Sequence, residues 1–463
     1  MIDLPRPLMA VLEAVRQVGR PRIVGGCVRD ALLGQIPGDI DIEVAETDFD
    51  TLLGVLKPFG STDVVGRSFG TIKLRLKNRF YDFSLPRRES KTGSGHRGFK
   101  IEPDPSLDDV SAAARRDFTI NAMAWDPFTR ELIDPFDGQA DLHQKVLRHP
   151  SPAFVEDPLR VLRAMQLAAR LDFTLDPSTS ALSRSIQDDF AQLPTERIWG
   201  EWEKWATTSL KPSRGLEVLC ETGWISHFPE ISALIDVPQD PEWHPEGDVF
   251  VHTKCCLDAL VADQAWIDAD ADRREILLLA VLAHDFGKPT TTEQVEKKGQ
   301  LRWTSPRHAV AGLPPTLSFL KRIGAPHRLA DEILPLVKFH MAHLDSGDSL
   351  PSDAQIRRLA RKLAPARLDD LLTVMRADSR GRPPREDPAT LDRLAHIASR
   401  ATVLEVQAQA PKPLVQGRHL LARGMKAGPD FAPLLEEAYE AQLSGAFLDE
   451  PSSSEWLDSR LKL

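Results

Sequence analysis

The sequence has no long hydrophobic run: the longest, Ile276 to Ala283, is eight residues and falls far short of a bilayer span. Behind Met-Ile-Asp-Leu-Pro there is no basic segment followed by an apolar one, so no secretory signal is expected. Cysteine is scarce. The four present, Cys27, Cys220, Cys255 and Cys256, show neither metal-type nor disulfide-type spacing. These absences exclude a disulfide scaffold and a membrane span, and point to a reducing, cytoplasmic setting. The chain also lacks the positive surplus of a protein coated in nucleic-acid-binding charge, its formal net charge being −10.

What is present is ordinary globular material. The 463 residues are 42% hydrophobic and 27% charged, which excludes disordered and collagenous chains. That length suggests about three domains. Charge is unevenly spread. Residues 67–116 hold twelve Lys/Arg against six Asp/Glu, and residues 221–290 hold four against fourteen. A basic front and an acidic centre fit a polyanion-binding region joined to something else; ordinary surface variation is the plainer alternative.

Strand and helix signals mix in the first part. Residues 5–18 have helical apolar spacing, and Arg22-Ile23-Val24 ends at two glycines. Asp39 to Val44 alternates polar and apolar as a half-buried strand does, and Thr47 to Leu56 reads as a helix with Thr47 as its N-cap. Ile72–Leu76 and Arg79–Leu85 read as further strands, and Glu89 to Pro105 as a mobile loop. After about residue 140 strand signals fade, and helical spacing marks 153–171, 197–208, 255–262, 275–284 and 354–363. Residues 380–390 form a proline-rich break, and no internal repeat is found.

The first chemical constellation is Gly25-Gly26-Cys27-Val28-Arg29-Asp30, followed by Gly38-Asp39-Ile40-Asp41. Two glycines at a strand-to-helix turn admit backbone N–H groups to a triphosphate, at a helix end that favours its charge. Arg29 adds a further phosphate donor. Asp39 and Asp41, two apart on a strand, share a face and suit hard divalent cations in two-metal catalysis. A DxD pair is a common accident on exposed strands, but here it follows GGxxRD by nine residues.

This pattern resembles the head of the DNA-polymerase-β nucleotidyltransferase superfamily, and specifically class II bacterial tRNA nucleotidyltransferases and poly(A) polymerases. Arg115-Arg116-Asp117-Phe118-Thr119-Ile120-Asn121 is similar to the family's RRDxTIN segment. The resemblance implies that Arg116 contacts phosphate and that Asp117 reads the ribose hydroxyl, with Gly26, Arg29 and Asn121 also nucleotide-binding. Asp134 to Gly138 resembles the hinge segment. Glu156-Asp157-Pro158-Leu159-Arg160-Val161-Leu162-Arg163 resembles the nucleobase-template helix, with Glu196, Arg197 and Glu201 buttressing it. Asp157 and Arg160, three apart on a helix, would reach one side and choose C or A by hydrogen bonds; Arg163 completes the set. One position departs from the pattern: Gln166 stands where many relatives place a third arginine. Asp82 is a further carboxylate outside the expected metal ligands, and the loop Lys91–Lys100 is similar to one that helps relatives switch from C to A addition.

In the second half, Leu282-Ala283-His284-Asp285-Phe286-Gly287-Lys288 resembles the HD phosphohydrolase superfamily. Carried over by order, the implied metal ligands are His252, His284, Asp285 and Asp378, with His308 and His340 contacting phosphate or a second metal. Imidazole and carboxylate together suit a divalent transition metal or Mg²⁺. The segments from Val415 and from Glu440 resemble the tail of HD-bearing members, where arginines and lysines would help hold the tRNA body; helical packing is the alternative.

The expected fold is therefore α+β: a polymerase-β-like α/β head, then an all-α neck, body and HD domain. The expected domains are a head at 1–140, a neck and body at 141–235, an HD domain at 236–380 and a helical tail at 381–463. The resemblance implies template-independent addition of CCA to tRNA 3′ ends from CTP and ATP, with Asp39 and Asp41 catalytic and metal-binding. It implies Mg²⁺ in the head, and Ni²⁺, Co²⁺, Mn²⁺ or Mg²⁺ in the HD domain. Alternatives are CC-only or A-only addition or poly(A) synthesis and, from another class, an HD phosphohydrolase with a vestigial RNA-binding head.

Overall fold

A computed structural model describes residues 2–65, 70–91, 99–344, 347, 349–385 and 387–462. The chain divides into two compact units, Met1–His227 and Phe228–Leu463.

The first unit opens with helix α1 (Arg6–Val15), then strand β1 (Arg20–Val24), α2 (Gly26–Leu32), β2 (Asp41–Ala45) and α3 (Phe49–Leu56). Strands β3 (Ser61–Val65), β4 (Thr71–Leu76) and β5 (Arg79–Ser84) follow, then a hairpin of β6 (Arg87–Lys91) and β7 (Phe99–Pro103), and short β8 (Ala124–Trp125) and β9 (Leu132–Ile133). Seven strands form one sheet in the order β3-β4-β5-β2-β1-β8-β9, with β2 parallel to β5 and every other neighbour antiparallel. Its core gathers Ile23, Ile42, Val44, Leu74 and Phe83 with Leu8 and Leu12 of α1. Burying Ile42 and Val44 forces their alternate neighbours Asp41 and Glu43 to the opposite face, and the parallel register sets Asp41 beside Asp82. Helices α4 (Asp109–Ala113), α5 (Gly138–Gln144), α6 (Leu159–Leu171), α7 (Pro177–Ser185), α8 (Thr195–Thr208) and α9 (Pro212–Glu221) complete the unit, with α6 packed on α8 and α9.

Three expectations for this unit are corrected. The strand begins at Asp41, not Asp39, because Asp39 lies in the bend before it. The cap of α3 is Asp48, whose carboxylate accepts from Thr51 N at 2.9 Å, not Thr47. Part of the expected loop at 89–105 is the paired hairpin β6–β7; most of Lys91–Lys100 lies outside the described residues.

The second unit is helical: α10 (Pro229–Ser232), α11 (Val249–Val261), α12 (Gln264–Ile267), α13 (Ala271–Ala283) and α14 (Lys288–Thr291), then α15 (His308–Ala311), α16 (Leu313–Ile323), α17 (His327–Phe339), α18 (Asp353–Leu363) and α19 (Leu368–Arg380). The tail adds α20 (Pro388–Val403), α21 (Gly417–Leu421), α22 (Phe431–Ser444) and α23 (Glu450–Leu461) around Val415, Leu420, Ala438, Phe447 and Leu457. The expected all-α remainder is corrected at two places, the first a short parallel pairing of Val146–Leu147 with Thr174–Leu175 in the first unit. The second, an antiparallel hairpin of β10 (Glu293–Lys297) with β11 (Gln300–Thr304), turns at Lys298 and Gly299, both in the left-handed region.

Candidate functional site

The first unit holds a cleft of about 380 Å³ lined by Asp41, Glu43 and Asp82 from the sheet and by Arg115, Arg116, Asp117, Asp157, Arg160 and Arg163 from the segments that follow. At its edge Gly25 has φ +81; a Cβ there would stand 3.4 Å from Arg116 Nη1 and 3.5 Å from Asp41 Oδ2, so only glycine leaves this approach open without strain. Desolvation raises the Asp41 carboxyl above its ordinary value; Arg116 opposes this, and repulsion from Asp82 and Asp39 adds to it. Carboxylates crowded against their own repulsion fit a divalent cation. Among the described residues they do not converge to the reach of a single ion, as three-ligand groups of the second unit do.

Behind the cleft runs a buried chain of hydrogen bonds. Arg29 Nη1 donates to Asn121 Oδ1 (2.7 Å), Asn121 Nδ2 donates to Asp117 Oδ1 (3.0 Å), and Arg163 Nε donates to Asp117 Oδ2 (2.8 Å). Phe118 N supplies another donor to Asp117. Burial pushes the Asp117 carboxyl up, but Arg163 and these donors outweigh it and bring it down to about 2. Arg29 is buried and paired with Asp30, and Gly26 sits against it, 3.2 Å from an added Cβ to Arg29 Nη2. Gly26, Arg29, Asn121 and Asp39 therefore lie outside the cleft lining, while the other expected residues line it. Asp117, with both oxygens accepting, is placed to hold Arg163.

Asp157 does not lie on the template helix. It precedes Pro158 in an extended conformation, accepts from Leu159 N (3.1 Å), and is held by Arg197 Nη2 (2.8 Å). Arg160 is on α6 and donates to the carbonyls of Ala153 (2.7 Å) and Arg115 (2.6 Å). Glu201 stands 3.9 Å from Arg163 and 2.9 Å from Lys204. Gln166, one turn beyond Arg163 on α6, is buried, its amide donating to Thr208 of α8 at 3.4 Å, and it does not line the cleft. Its side chain is spent on helix packing, away from the cleft.

The second unit buries a histidine–carboxylate centre at one wall of a cavity of about 1040 Å³. His252 of α11 brings Nε2 to 3.1 Å from Asp378 Oδ1 and 3.8 Å from Asp285 Oδ2. His284 Nε2 stands 3.2 Å from Asp285 Oδ2 and, though fully buried, has no hydrogen-bond partner. His308 and His340 meet at 3.0 Å between their Nε2 atoms, 3.5 Å from His308 to Asp285 Oδ1. Of the four expected ligands, His252, His284 and Asp378 come within one ion's reach together with Cys256, whereas Asp285 groups with His308 and His340 while also standing near His252 and His284. Burial pushes the Asp285 and Asp378 carboxyls up, yet His284 and Lys288, and Arg382 and His252, hold them well below the ordinary range. Burial drives His340 down to about 3. Ionised carboxylates, a neutral imidazole and an unpartnered buried nitrogen are what a divalent cation requires, so the donor set fits one.

Several residues escaped the sequence reading. Glu43 had a signal, two residues beyond Asp41 on an alternating strand; it faces Arg116 at 3.4 Å. Lys288 and Arg382 follow Asp285 and Asp378 at helical spacing and pair with them, each at 2.7 Å. Cys256 lies 3.3 Å from His252 Nε2, its thiol kept protonated by burial. His244 and Glu246 gave no signal; they meet His252 only through folding. The hairpin β10–β11, also unforeseen, walls the cavity with Lys297, Lys298, Arg302 and Trp303.

A mixed sheet that sets paired carboxylates in a cleft of arginines, in a chain that also buries an HD-type centre, defines the class: a nucleotidyltransferase of polymerase-β-like fold with an HD domain. The family profile "Poly A polymerase head domain" matches residues 21–148, "Probable RNA and SrmB- binding site of polymerase A" matches 172–235, and "HD domain" matches 259–401, beginning beyond His252. The multifunctional CCA protein of Laribacter hongkongensis is 37% identical over 79% of this chain and 86% of its own length. That of Xanthomonas oryzae is 34% identical over 92% and 98%. The chain belongs to the multifunctional CCA protein family. Among solved structures, the Bacillus stearothermophilus CCA-adding enzyme in complex with CTP aligns over 99% of this chain and 98% of its own, with TM-score 0.68 and 22% identity. The Thermotoga maritima CCA-adding enzyme complexed with tRNA aligns over 99% and 96%, with TM-score 0.61 and 20% identity. At these identities the likeness is one of fold. No helix among the described residues is long and apolar enough to cross a membrane.

Proposed function

We propose that the chain adds CCA to tRNA 3′ ends from CTP and ATP in its first unit, and hydrolyses phosphate esters at the HD centre of its second, in the cytoplasm. The observation that carries the first reading is the cleft itself, where Asp41 and Asp82 stand in register opposite Arg116, Arg160 and Arg163. The tRNA 3′ hydroxyl attacks the α-phosphate, a new P–O bond forms, and the bond to pyrophosphate breaks. Arg116 and Arg163 bind the triphosphate, Arg163 being oriented by Asp117; Gly26, Arg29 and Asn121 keep that pair in place from behind. Asp157 accepts from the exocyclic amino group of C or A, and Arg160 donates to the neighbouring ring atom. Asp39 and Asp41 would hold Mg²⁺, which supplies charge neutralisation at the reacting phosphates.

In the second unit His252, His284, Asp285 and Asp378 would hold a divalent ion, with Asp285, His308 and His340 available for another. Such an ion supplies an acidified water, and imidazole ligands favour Ni²⁺, Co²⁺ or Mn²⁺ over Mg²⁺. The corresponding partition is head 1–140, neck and body 141–235, HD domain 236–380 and tail 381–463. Incubating the chain with tRNA lacking its 3′ CCA, with CTP alone, ATP alone and both, tests the reading. Full CCA only with both nucleotides supports it; CC-only, A-only or long poly(A) products replace it with the corresponding specificity.

A further inference from the structure

The histidine–carboxylate centre has a carboxylate behind it as well as in it. Glu246 lies in the loop before α11, which is pinned at several points. Asp248 caps α11 by accepting from Val251 N (2.8 Å), and its other oxygen accepts from Asp236 N (2.8 Å). His244 N donates to Asp240 O (2.8 Å), and Gln239 Nε2 donates to Gly247 O (3.2 Å). Gly247, at φ +133, makes the turn that sends the neighbouring Glu246 side chain inward, and that side chain is only 2% exposed.

One oxygen of Glu246 serves two imidazoles. Oε1 is 2.7 Å from His252 Nδ1 and 2.9 Å from His244 Nδ1. Gly381 O, at 3.1 Å, is the other oxygen within hydrogen-bond reach of His252 Nδ1 among the described residues, and it too can only accept. His252 Nδ1 therefore carries the proton, and Nε2, beside Asp378 and Asp285, is the nitrogen whose lone pair faces a cation. His244, whose ring stands edge-on to His252 at 4.6 Å, lines the cavity and is held in the same way, with Nε2 as the nitrogen left for a cavity occupant.

We propose that Glu246 is a positioning residue of this centre, fixing the tautomer and ring orientation of His252 as a ligand and of His244 on the cavity wall. This rests on reading the centre as a metal site. Outer-sphere carboxylates of this kind typically change metal affinity by about 10- to 100-fold.

The test is a Co²⁺ titration of the full chain followed by visible absorption, with Asp285→Ala defining Co²⁺ bound elsewhere. Glu246→Ala is expected to weaken the Asp285-dependent binding by about 10- to 100-fold and to alter the Co²⁺ band. Glu246→Gln, which keeps an acceptor oxygen without the charge, is expected to fall between, and it carries the test if the alanine variant does not fold. Nucleotide addition is expected to be unchanged in both. Binding by Glu246→Ala (or by Glu246→Gln, where only that variant folds) within about twofold of the parent, with the same band, overturns the role of Glu246 alone. A parent chain with no Asp285-dependent Co²⁺ overturns the metal reading and this proposal with it.

Discussion

Replacing Arg163 with methionine removes the main partner of a buried carboxylate while keeping the length of the side chain. Asp117 is 9% exposed and receives two donors from Arg163, at 2.8 and 2.5 Å, on one oxygen. Its carboxyl is held at about 2 against an ordinary 3.8. At about 1.4 kcal/mol per pH unit, that displacement corresponds to about 2 kcal/mol of folded-state stability. Because the folded value is depressed, the contribution is complete above pH 3.8 and is lost as the pH falls through about 2. Without Arg163, burial is opposed only by Asn121 and the Phe118 N–H, and the carboxyl returns to the ordinary range or above. Urea titrations of parent and Arg163→Met, followed by tryptophan fluorescence, should differ by about 2 kcal/mol at pH 7. The gap should close as the pH approaches 2, and carboxylates common to both chains cancel in the difference. The same variant should bind CTP and ATP about 10- to 100-fold more weakly, the worth of a lost charged hydrogen bond. Equal stability at pH 7, or a gap undiminished at low pH, refutes the reasoning.

Asp41→Ala should reduce nucleotide addition by about a thousandfold or more, since loss of a cation ligand costs several kcal/mol, while sparing phosphate-ester hydrolysis; Asp285→Ala should do the reverse, and radiolabel incorporation beside p-nitrophenyl phosphate hydrolysis reads both. Arg160→Ala should relax the preference for C and A over U and G by about tenfold, within the 1–3 kcal/mol of an unpaired polar contact; equal slowing with all four nucleotides would make Arg160 a brace for the Ala153 and Arg115 carbonyls instead. Gln166→Arg should lower the melting temperature without changing the KM for CTP, because the site is buried against Thr208; a lowered KM would return Gln166 to the cleft. Chelation should stop both activities, with Mg²⁺ restoring addition and Ni²⁺, Co²⁺ or Mn²⁺ best restoring hydrolysis, as assayed by readdition.

Short-range patterns were legible in the sequence and long-range ones were not. The alternation at Asp41 and the apolar run leading to His284 encode burial directly, so strand, helix and the residues they present could be read along the chain. Asp157 was misread because the helical spacing around it outweighed Pro158, whose ring drives the preceding residue out of the helix. The hairpin β10–β11 was missed because its strands are mostly exposed and lack an apolar face, leaving only the Lys298-Gly299 turn as a signal. Glu246 could not have been found at all. Its meaning depends on a loop folding back beneath His252, which no spacing announces.

The two charged stretches separate along the same line. Three arginines of the basic stretch, Arg87, Arg115 and Arg116, line the cleft beside Asp41 and Asp82, so part of that surplus faces the proposed nucleotide site. The acidic centre does not describe a second binding surface of opposite sign. Asp248, Asp263 and Asp270 are spent as helix N-caps, accepting from backbone N–H groups. Glu230 binds Ser318 and Arg322, Glu275 faces Arg328, and Asp240 faces Arg302. Asp285 and Glu246 are the two that reach the histidine–carboxylate centre, on opposite nitrogens of His252. A net balance over a window counts caps, internal pairs and ligands alike; only the fold says which carboxylates are already answered, and here nearly all of the named ones are answered from within the second unit.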